Sequence, residues 1–387
     1  MRNIAVVTGT RAEYGLLKPL IQAINEEKDI NLQLLVTGMH LMSEFGNTYQ
    51  QIEKDGLKID AKIDDGLEGD NALAISKAVG KATIGFGETY NRLKPDLLVV
   101  LGDRSEILAA VTAAIISNIP VAHIHGGETT EGAYDEFIRH AITKMSHLHF
   151  ASSEVYRKRI IQMGEHPSRV FNVGAIGIDS IKNLKLLNKT EFQTAINYVL
   201  KPKNLLITYH PVTLENDTAA YQFKQIIKEL DKLDETLLIF TKPNSDKNGK
   251  IIVKIIDDFV AQNPHKSISF QSMGQLRYLS ALQFVDAVVG NSSSGILEVP
   301  YFNIPTINIG DRQKGRLMPL SVICCRPEGK EIALALEKVY DFRFLQLIRN
   351  ERRVYGEGNA TVKILEVLKC LKIDTLKKSF FDINFDI

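Results

Sequence analysis

The strongest constraint on this chain is a rhythm: a short apolar run ends at a glycine-containing turn, an amphipathic helix follows, and the pattern repeats along most of the 387 residues. Asn3 to Val7 is apolar and β-rich, stops at Thr8-Gly9-Thr10, and gives way to Leu16, Leu17, Leu20, Ile21 and Ile24 at helical spacing. Leu32 to Val36 stops at Thr37-Gly38, and Leu97 to Leu101 stops at Gly102-Asp103 before a helix over 104–117. A strand at Val121, a helix at Tyr134 and short strands at Leu148 to Ala151 and Val170 to Val173 continue the alternation. Strands and helices in this order predict a parallel sheet covered by helices on both faces.

The rhythm breaks over 188–203, which is polar and contains Lys201-Pro202-Lys203, so a hinge is expected between Gly177 and Lys203. It restarts with strands at Leu205 to Thr208, Thr236 to Phe240, Ile268 to Phe270, Val285 to Val289 and Ile304 to Ile307. The fold class read from this is α/β, with two doubly wound domains, 1–180 and 200–358, facing each other across a cleft. Each is long enough to bury its own core. A last helix begins at Ala360 and, from its residues alone, suits either half.

Composition narrows the partners. Apolar and charged fractions of 44% and 24% are those of a soluble globular chain, and the net charge of +1 argues against nucleic acid or an anionic membrane as a general partner. The longest nearly apolar run, Ile107 to Ile116, is too short to span a bilayer, and Arg11 and Glu13 interrupt any secretory leader. A cytoplasmic location is the expectation. Cys324, Cys325 and Cys370 form neither a disulfide framework nor a metal knuckle.

The candidate chemistry sits where strands end. In His123-Ile124-His125-Gly126-Gly127-Glu128, two glycines place Glu128 on a loop at the edge where open parallel sheets bind ligands. His123 and His125, two apart on a strand, are expected on one face, and a metal site lacks further ligands at suitable spacing, so cleft-wall hydrogen bonding is preferred. His147 and His149 are expected to line a strand. The next helix is expected to anchor Tyr134, Phe137, Ile138, Ala141, Ile142 and Met145 to the sheet. Its other side would carry Asp135 paired with Arg139 and Glu136 paired with His140. Asp135, on the first turn, is the better candidate for chemistry. Arg11 follows a strand-to-helix turn suited to an anion or to nothing beyond solvation. Asp103 and Arg104 end another strand, with Asp103 also suited to cap the following helix.

In the second half, Tyr209-His210-Pro211-Val212-Thr213 ends a strand, and His210 is a candidate to face the same cleft. Gly290-Asn291-Ser292-Ser293-Ser294-Gly295 opens a short helix containing Glu298, with amides and hydroxyls suited to a phosphate. Arg312, Lys314 and Arg316 add three cations, enough to suit a diphosphate without a metal.

Taken together, VTGTRAEYGLLKPL, VTGMHLMSEFGNT, LGDRSE, HIHGGE, YDEFIRHAITKMSHLH, YHPVT, GNSSSGILEVP and INIGDRQKGR resemble the hydrolysing UDP-N-acetylglucosamine 2-epimerases of bacterial sialic-acid and related nonulosonate pathways. The non-hydrolysing branch carries a Gln-His-Arg type segment where this chain reads Thr37-Gly38-Met39-His40-Leu41. The resemblance implies two Rossmann-like domains in a glycosyltransferase-B arrangement, the terminal helix 360–387 joining the first. It also implies release of UDP and a free 2-epimerised sugar, N-acetylmannosamine from UDP-N-acetylglucosamine, through a glycal-like intermediate. A 2,4-diacetamido-trideoxy UDP-sugar is the alternative substrate, and a transferase of the same fold is the rival reading.

By the same matching, Asp103, Glu128 and Asp135 are the expected acid–base carboxylates with His210 assisting. Arg11, His40 and Arg104 are expected at the substrate, and Ser292, Ser293, Glu298 and Arg316 at UDP. No cofactor or metal is expected, and the family suggests a dimer or tetramer.

Overall fold

The computed structural model describes residues 1–69, 71–131, 134–211, 219–243, 247–351, 353–370 and 376–384. Contacts divide the chain into two units. The first comprises Met1–Glu128, Tyr134–Lys182 and Val354–Ile387, and the second Thr129–Ala133 and Asn183–Arg353.

The first unit is built on seven parallel strands: β1 (Arg2–Thr8), β2 (Ile30–Thr37), β3 (Ala61–Ile63), β4 (Leu97–Leu101), β5 (Val121–Ile124), β6 (Leu148–Ala151) and β7 (Val170–Asn172). Their spatial order is β3-β2-β1-β4-β5-β6-β7. Alternate residues serve opposite faces. Ile4 and Val6 of β1 join Leu17, Leu20, Ile21 and Ile24 in one core, while Ala5 and Val7 join Phe86, Tyr90, Ile107 and Val111 in the other. A strand buried on both sides must be apolar throughout, which is why these strands read as continuous runs rather than as alternation.

The second unit repeats the plan with six parallel strands: β8 (Lys203–Thr208), β9 (Thr236–Thr241), β10 (Ser267–Phe270), β11 (Ala287–Gly290), β12 (Thr306–Ile309) and β13 (Val322–Cys325). The order is β10-β9-β8-β11-β12-β13. In both sheets the order reverses beside the first strand, between β1 and β4 and between β8 and β11. Sheets of this kind bind ligands at the carboxyl ends on either side of such a reversal.

Several local expectations change. The boundary between the units, Lys182 to Asn183, falls inside the expected 177–203, and within that polar stretch Lys189–Ile196 is a helix whose Asn188 and Glu191 form a reciprocal capping box. The helix Ala72–Leu93 and the strands β3 and β13 appear in addition to the elements read from the sequence. The terminal helix covers Ala360–Cys370, not 360–387, and residues 376–384 carry no helix. That helix lies in the first unit, where Ile364 and Leu368 enter the core beside Leu17 and Leu20. Asp179 accepts the otherwise orphaned amides of Ala360 and Thr361, at 3.0 and 2.6 Å. Among the described residues no helix is long and apolar enough to cross a membrane.

Candidate active site

In the first unit the polar residues gather after β1, β4 and β5. Glu128 is buried, and its Oε1 accepts from Ser152 Oγ at 2.6 Å and lies 3.4 Å from His125 Nδ1. The Ile176 amide, which can only donate, reaches His125 Nε2 at 3.2 Å. The ring proton of neutral His125 is therefore on Nδ1, facing Glu128. The loop that delivers Glu128 is tight. Gly127 has φ +72°, and a Cβ there would stand 2.6 Å from Ile160 Cγ1 and 2.9 Å from the Tyr156 carbonyl, so only glycine fits. Arg159 Nη1 holds the Gly127 carbonyl at 2.8 Å.

Arg139 is the centre of this arrangement, and the sequence reading missed it. Its side chain is buried, and it binds the Glu128 carbonyl at 3.1 Å, Glu136 Oε2 at 3.0 Å and the carboxylate of Asp103. The expected apolar stripe on helix Asp135–Met145 is thereby corrected. Phe137 and Tyr134 are exposed, while Arg139, Ile142 and Thr143 face inward. Asp135 makes no ion pair with Arg139 among the described residues, whereas Glu136 does pair with His140, at 3.0 Å. Burial, and then the neighbouring Asp103, push the Asp135 carboxyl above its usual range. Asp103 does not cap the next helix, since Arg104 occupies the cap position without a side-chain bond.

The two histidines of the motif part company because β5 ends at Ile124 and His125 turns to φ +64°. His123 is fully buried, bonds Gly102 O at 2.8 Å and Thr143 Oγ1 at 3.2 Å, and is held down to about 3 by burial. His147 accepts from the Val121 amide at 3.3 Å, and His149 meets Glu165 at 3.0 Å. Both lie outside the Glu128 network.

His40 is buried between Thr8 Oγ1, at 3.1 Å, and Thr48 Oγ1, at 2.8 Å, and burial lowers it to about 4. Arg11 is exposed. Arg104 pairs with the buried Glu106, a residue absent from the sequence-based candidates. Glu13 is also buried, accepts from the Gly9 amide at 2.7 Å, and is raised to about 8, chiefly by burial.

In the second unit the same sheet edge carries different groups. Gly290 at φ +142° lets β11 turn against β8, since a Cβ would lie 1.9 Å from the Thr208 carbonyl. After it, the Ser292 and Ser293 amides make no backbone hydrogen bond among the described residues. The helix they open is only Ser294–Leu297. Glu298 accepts from Ser294 Oγ, which in turn accepts from Tyr278 OH at 2.7 Å. Burial raises the Glu298 carboxyl. His210 is lowered to about 4, by burial first and Arg312 second. Val212 and Thr213 of its motif lie outside the described residues. Arg316 is half-buried, its Nη2 3.5 Å from Thr130 Oγ1. Thr129 Oγ1 donates to the Gly315 carbonyl. Among the described residues no group of three His, Cys, Asp or Glu side chains is arranged to hold a metal.

Known proteins are similar to this chain in sequence and in fold. A Campylobacter jejuni protein named GDP/UDP-N,N'-diacetylbacillosamine 2-epimerase (hydrolyzing) is 43% identical over 99% of each chain. The Escherichia coli polysialic acid biosynthesis protein P7 is 36% identical over 99% of this chain and 98% of its own. The crystal structure of UDP-GlcNAc 2-epimerase from Neisseria meningitidis bound to UDP-GlcNAc matches with a TM-score of 0.82 at 19% identity, covering 95% of this chain and all of that one. The family model described as UDP-N-acetylglucosamine 2-epimerase matches residues 22–369, and the chain belongs to that family.

Proposed function

We propose that the protein is a hydrolysing 2-epimerase that converts a UDP-linked 2-acetamido sugar and water into UDP and the free sugar inverted at C2. The observation that carries this reading is the cluster in the first unit, where buried Arg139 gathers Asp103, Glu136 and the Glu128 loop at the ends of β4 and β5. It stands in a chain 43% identical, end to end, to a protein named as a hydrolysing 2-epimerase.

Inversion at C2 requires a proton to leave one face and another to arrive on the opposite face, so two groups must act. Glu128, which accepts from Ser152, is assigned the base that takes the C2 proton. The C2–H electrons form the C1–C2 double bond as the C1–O bond breaks and UDP departs. Asp135, whose carboxyl is raised, is assigned the acid that returns a proton to C2; water adds at C1 and passes its own proton to the Asp135 carboxylate so formed, and Glu128 gives up its proton to solvent before the next turnover. Asp103 holds Arg139 beside them, and His210, neutral at pH 7, assists proton transfer. Arg11, His40 and Arg104 contact the sugar end of the substrate.

Departing UDP gains negative charge. Ser292, Ser293 and Arg316 are placed in this reading to stabilise it more than the bound ground state, with Glu298 on the ribose.

For the sugar, UDP-N,N'-diacetylbacillosamine is favoured by the 43% identity to the Campylobacter protein of that name. UDP-N-acetylglucosamine is the second reading, favoured by the match to the family model described as UDP-N-acetylglucosamine 2-epimerase. Incubation with each UDP-sugar alone in D2O, followed by product identification, tests both. UDP and a free sugar carrying one deuterium at C2 are expected. Absence of free sugar from both, with turnover only on addition of an acceptor, would indicate a transferase.

A further inference from the structure

Asn291 lies at the end of β11, buried, and uses every polar group it has. Its Oδ1 accepts from the His210 amide at 2.7 Å, and its Nδ2 donates to the His210 carbonyl at 2.8 Å. Its own carbonyl accepts from Arg312 Nη1 at 3.0 Å and from Gln313 Nε2 at 2.9 Å. Its amide donates to the Thr208 carbonyl at 3.1 Å. One residue just past a central strand thus ties the loop after β8 to the loop after β12.

We propose that Asn291 is a positioning residue that fixes His210 and Arg312 relative to each other, so that the histidine and the guanidinium are presented together to the diphosphate end of the substrate. The proposal rests on the function argued above.

The chemistry requires an amide. One carboxamide offers an acceptor and a donor a fixed distance apart, matched here to the N–H and C=O of a single residue. A carboxylate of the same shape has no donor, so it would turn an oxygen toward the His210 carbonyl and leave two acceptors in contact. A smaller apolar residue would leave both His210 groups without partners in a buried place. Either change frees the loop that carries the histidine. Arg312, held by the main-chain carbonyl at 291, would keep that contact while the histidine beside it moved away. The depression of His210, to which Arg312 contributes, is the electrostatic trace of the same proximity.

The test uses the full chain, with UDP binding by calorimetry and turnover of the UDP-sugar measured separately for Asn291→Asp, Asn291→Ala, His210→Ala and the corresponding double variants. Asn291→Asp is expected to bind UDP about tenfold more weakly and to lose kcat as well, since His210 no longer sits in register with Arg312. His210→Ala is expected to cost about 100-fold in kcat in the wild-type background and no more than about threefold beside either Asn291 variant. A purely structural asparagine would instead give losses that multiply. Should Asn291→Asp fail to fold, Asn291→Ala, which adds no charge, carries the same cycle. Multiplying losses, or wild-type UDP affinity and kcat in a folded Asn291 variant, would overturn the proposal. If the wild-type protein turned over neither UDP-sugar, the proposed function would fall. The UDP affinities would then decide the role of Asn291, with a tenfold loss upholding it and unchanged binding overturning it.

Discussion

The two units share one strand plan and equip it with opposite chemistry. In the first, the turns after β4 and β5 present Asp103 and Glu128, Asp135 and Glu136 begin a helix, and the arginine among them is buried and fully engaged. In the second, the turns after β11 and β12 present hydroxyls, half-exposed Arg312 and Arg316, and the Ser292 and Ser293 amides, which make no backbone hydrogen bond among the described residues. The scaffold therefore fixes where a ligand can meet the sheet, and the turn residues decide what is done to it. A net charge of +1 over the chain says nothing of this division, because it sums 47 basic and 46 acidic residues wherever they lie.

The sharpest way to break the comparison is to remove one group from each side. Glu128→Gln keeps the shape and the Ser152 contact while removing the base. It should lower kcat by about 1,000-fold or more, within the range of a lost general base, and leave UDP affinity within about threefold. Arg316→Ala should do the reverse in kind, weakening UDP binding by about tenfold with little change in stability. Near-normal UDP release by Glu128→Gln would end the assignment of the first unit as the acid–base half.

Arginine itself sharpens the contrast. Arg139→Ala leaves Asp103 and Glu136 facing one another without the cation between them. Breaking a buried pair in this way costs about 3–5 kcal/mol. Urea unfolding should show that loss for Arg139→Ala and none beyond about 0.5 kcal/mol for Arg316→Ala, as befits a less buried position. Equal stabilities would mean that the first unit's arginine is no more structural than the second's.

How much of this was readable in advance follows from what each residue reports locally. Continuous apolar runs ending at Gly9, Gly38, Gly102 and Gly290 mark buried parallel strands, because period and punctuation are properties of neighbouring residues. β3 escaped because three residues, Ala-Lys-Ile, carry too little pattern, and β13 because Val-Ile-Cys-Cys leaves Cys324 exposed. Placement of Glu128, Asp135 and His210 at strand ends or helix starts follows from the same rhythm. Arg139 was unreadable by the usual rule. Helical spacing put Tyr134 and Phe137 on the sheet side, and the demand of Asp103, 36 residues away, for a buried cation reversed that choice. Asn291 was hidden for a similar reason: its partners at 210 and 312 are neighbours only once the sheet is assembled.

The smallest expected effect compares acid and alkaline limits of stability within the first unit. His40 and His123 titrate near 4 and 3 in the folded chain and near 6.5 when unfolded. Below pH 6.5 the unfolded chain binds protons that the native one refuses, so stability falls as the pH is lowered. Glu13 runs the other way. Its folded value of about 8 lies above an unfolded value near 4.5, so the native chain holds a proton that the unfolded chain has lost, and its contribution drains away as the pH rises toward 8. Of these three groups, the two histidines outweigh the carboxyl below pH 6.5 and Glu13 prevails above it, so their joint contribution peaks near pH 6.5. Between there and pH 8 the single proton amounts to about 2 kcal/mol. Glu13→Gln mimics the protonated side chain at every pH, retaining a carbonyl oxygen for the Gly9 amide. Urea unfolding across this range should therefore show the alkaline decline in the wild-type chain and a flat limb in Glu13→Gln, whose acid limb should be steeper because the opposing carboxyl is gone. Parallel declines in the two proteins would remove Glu13 from the account.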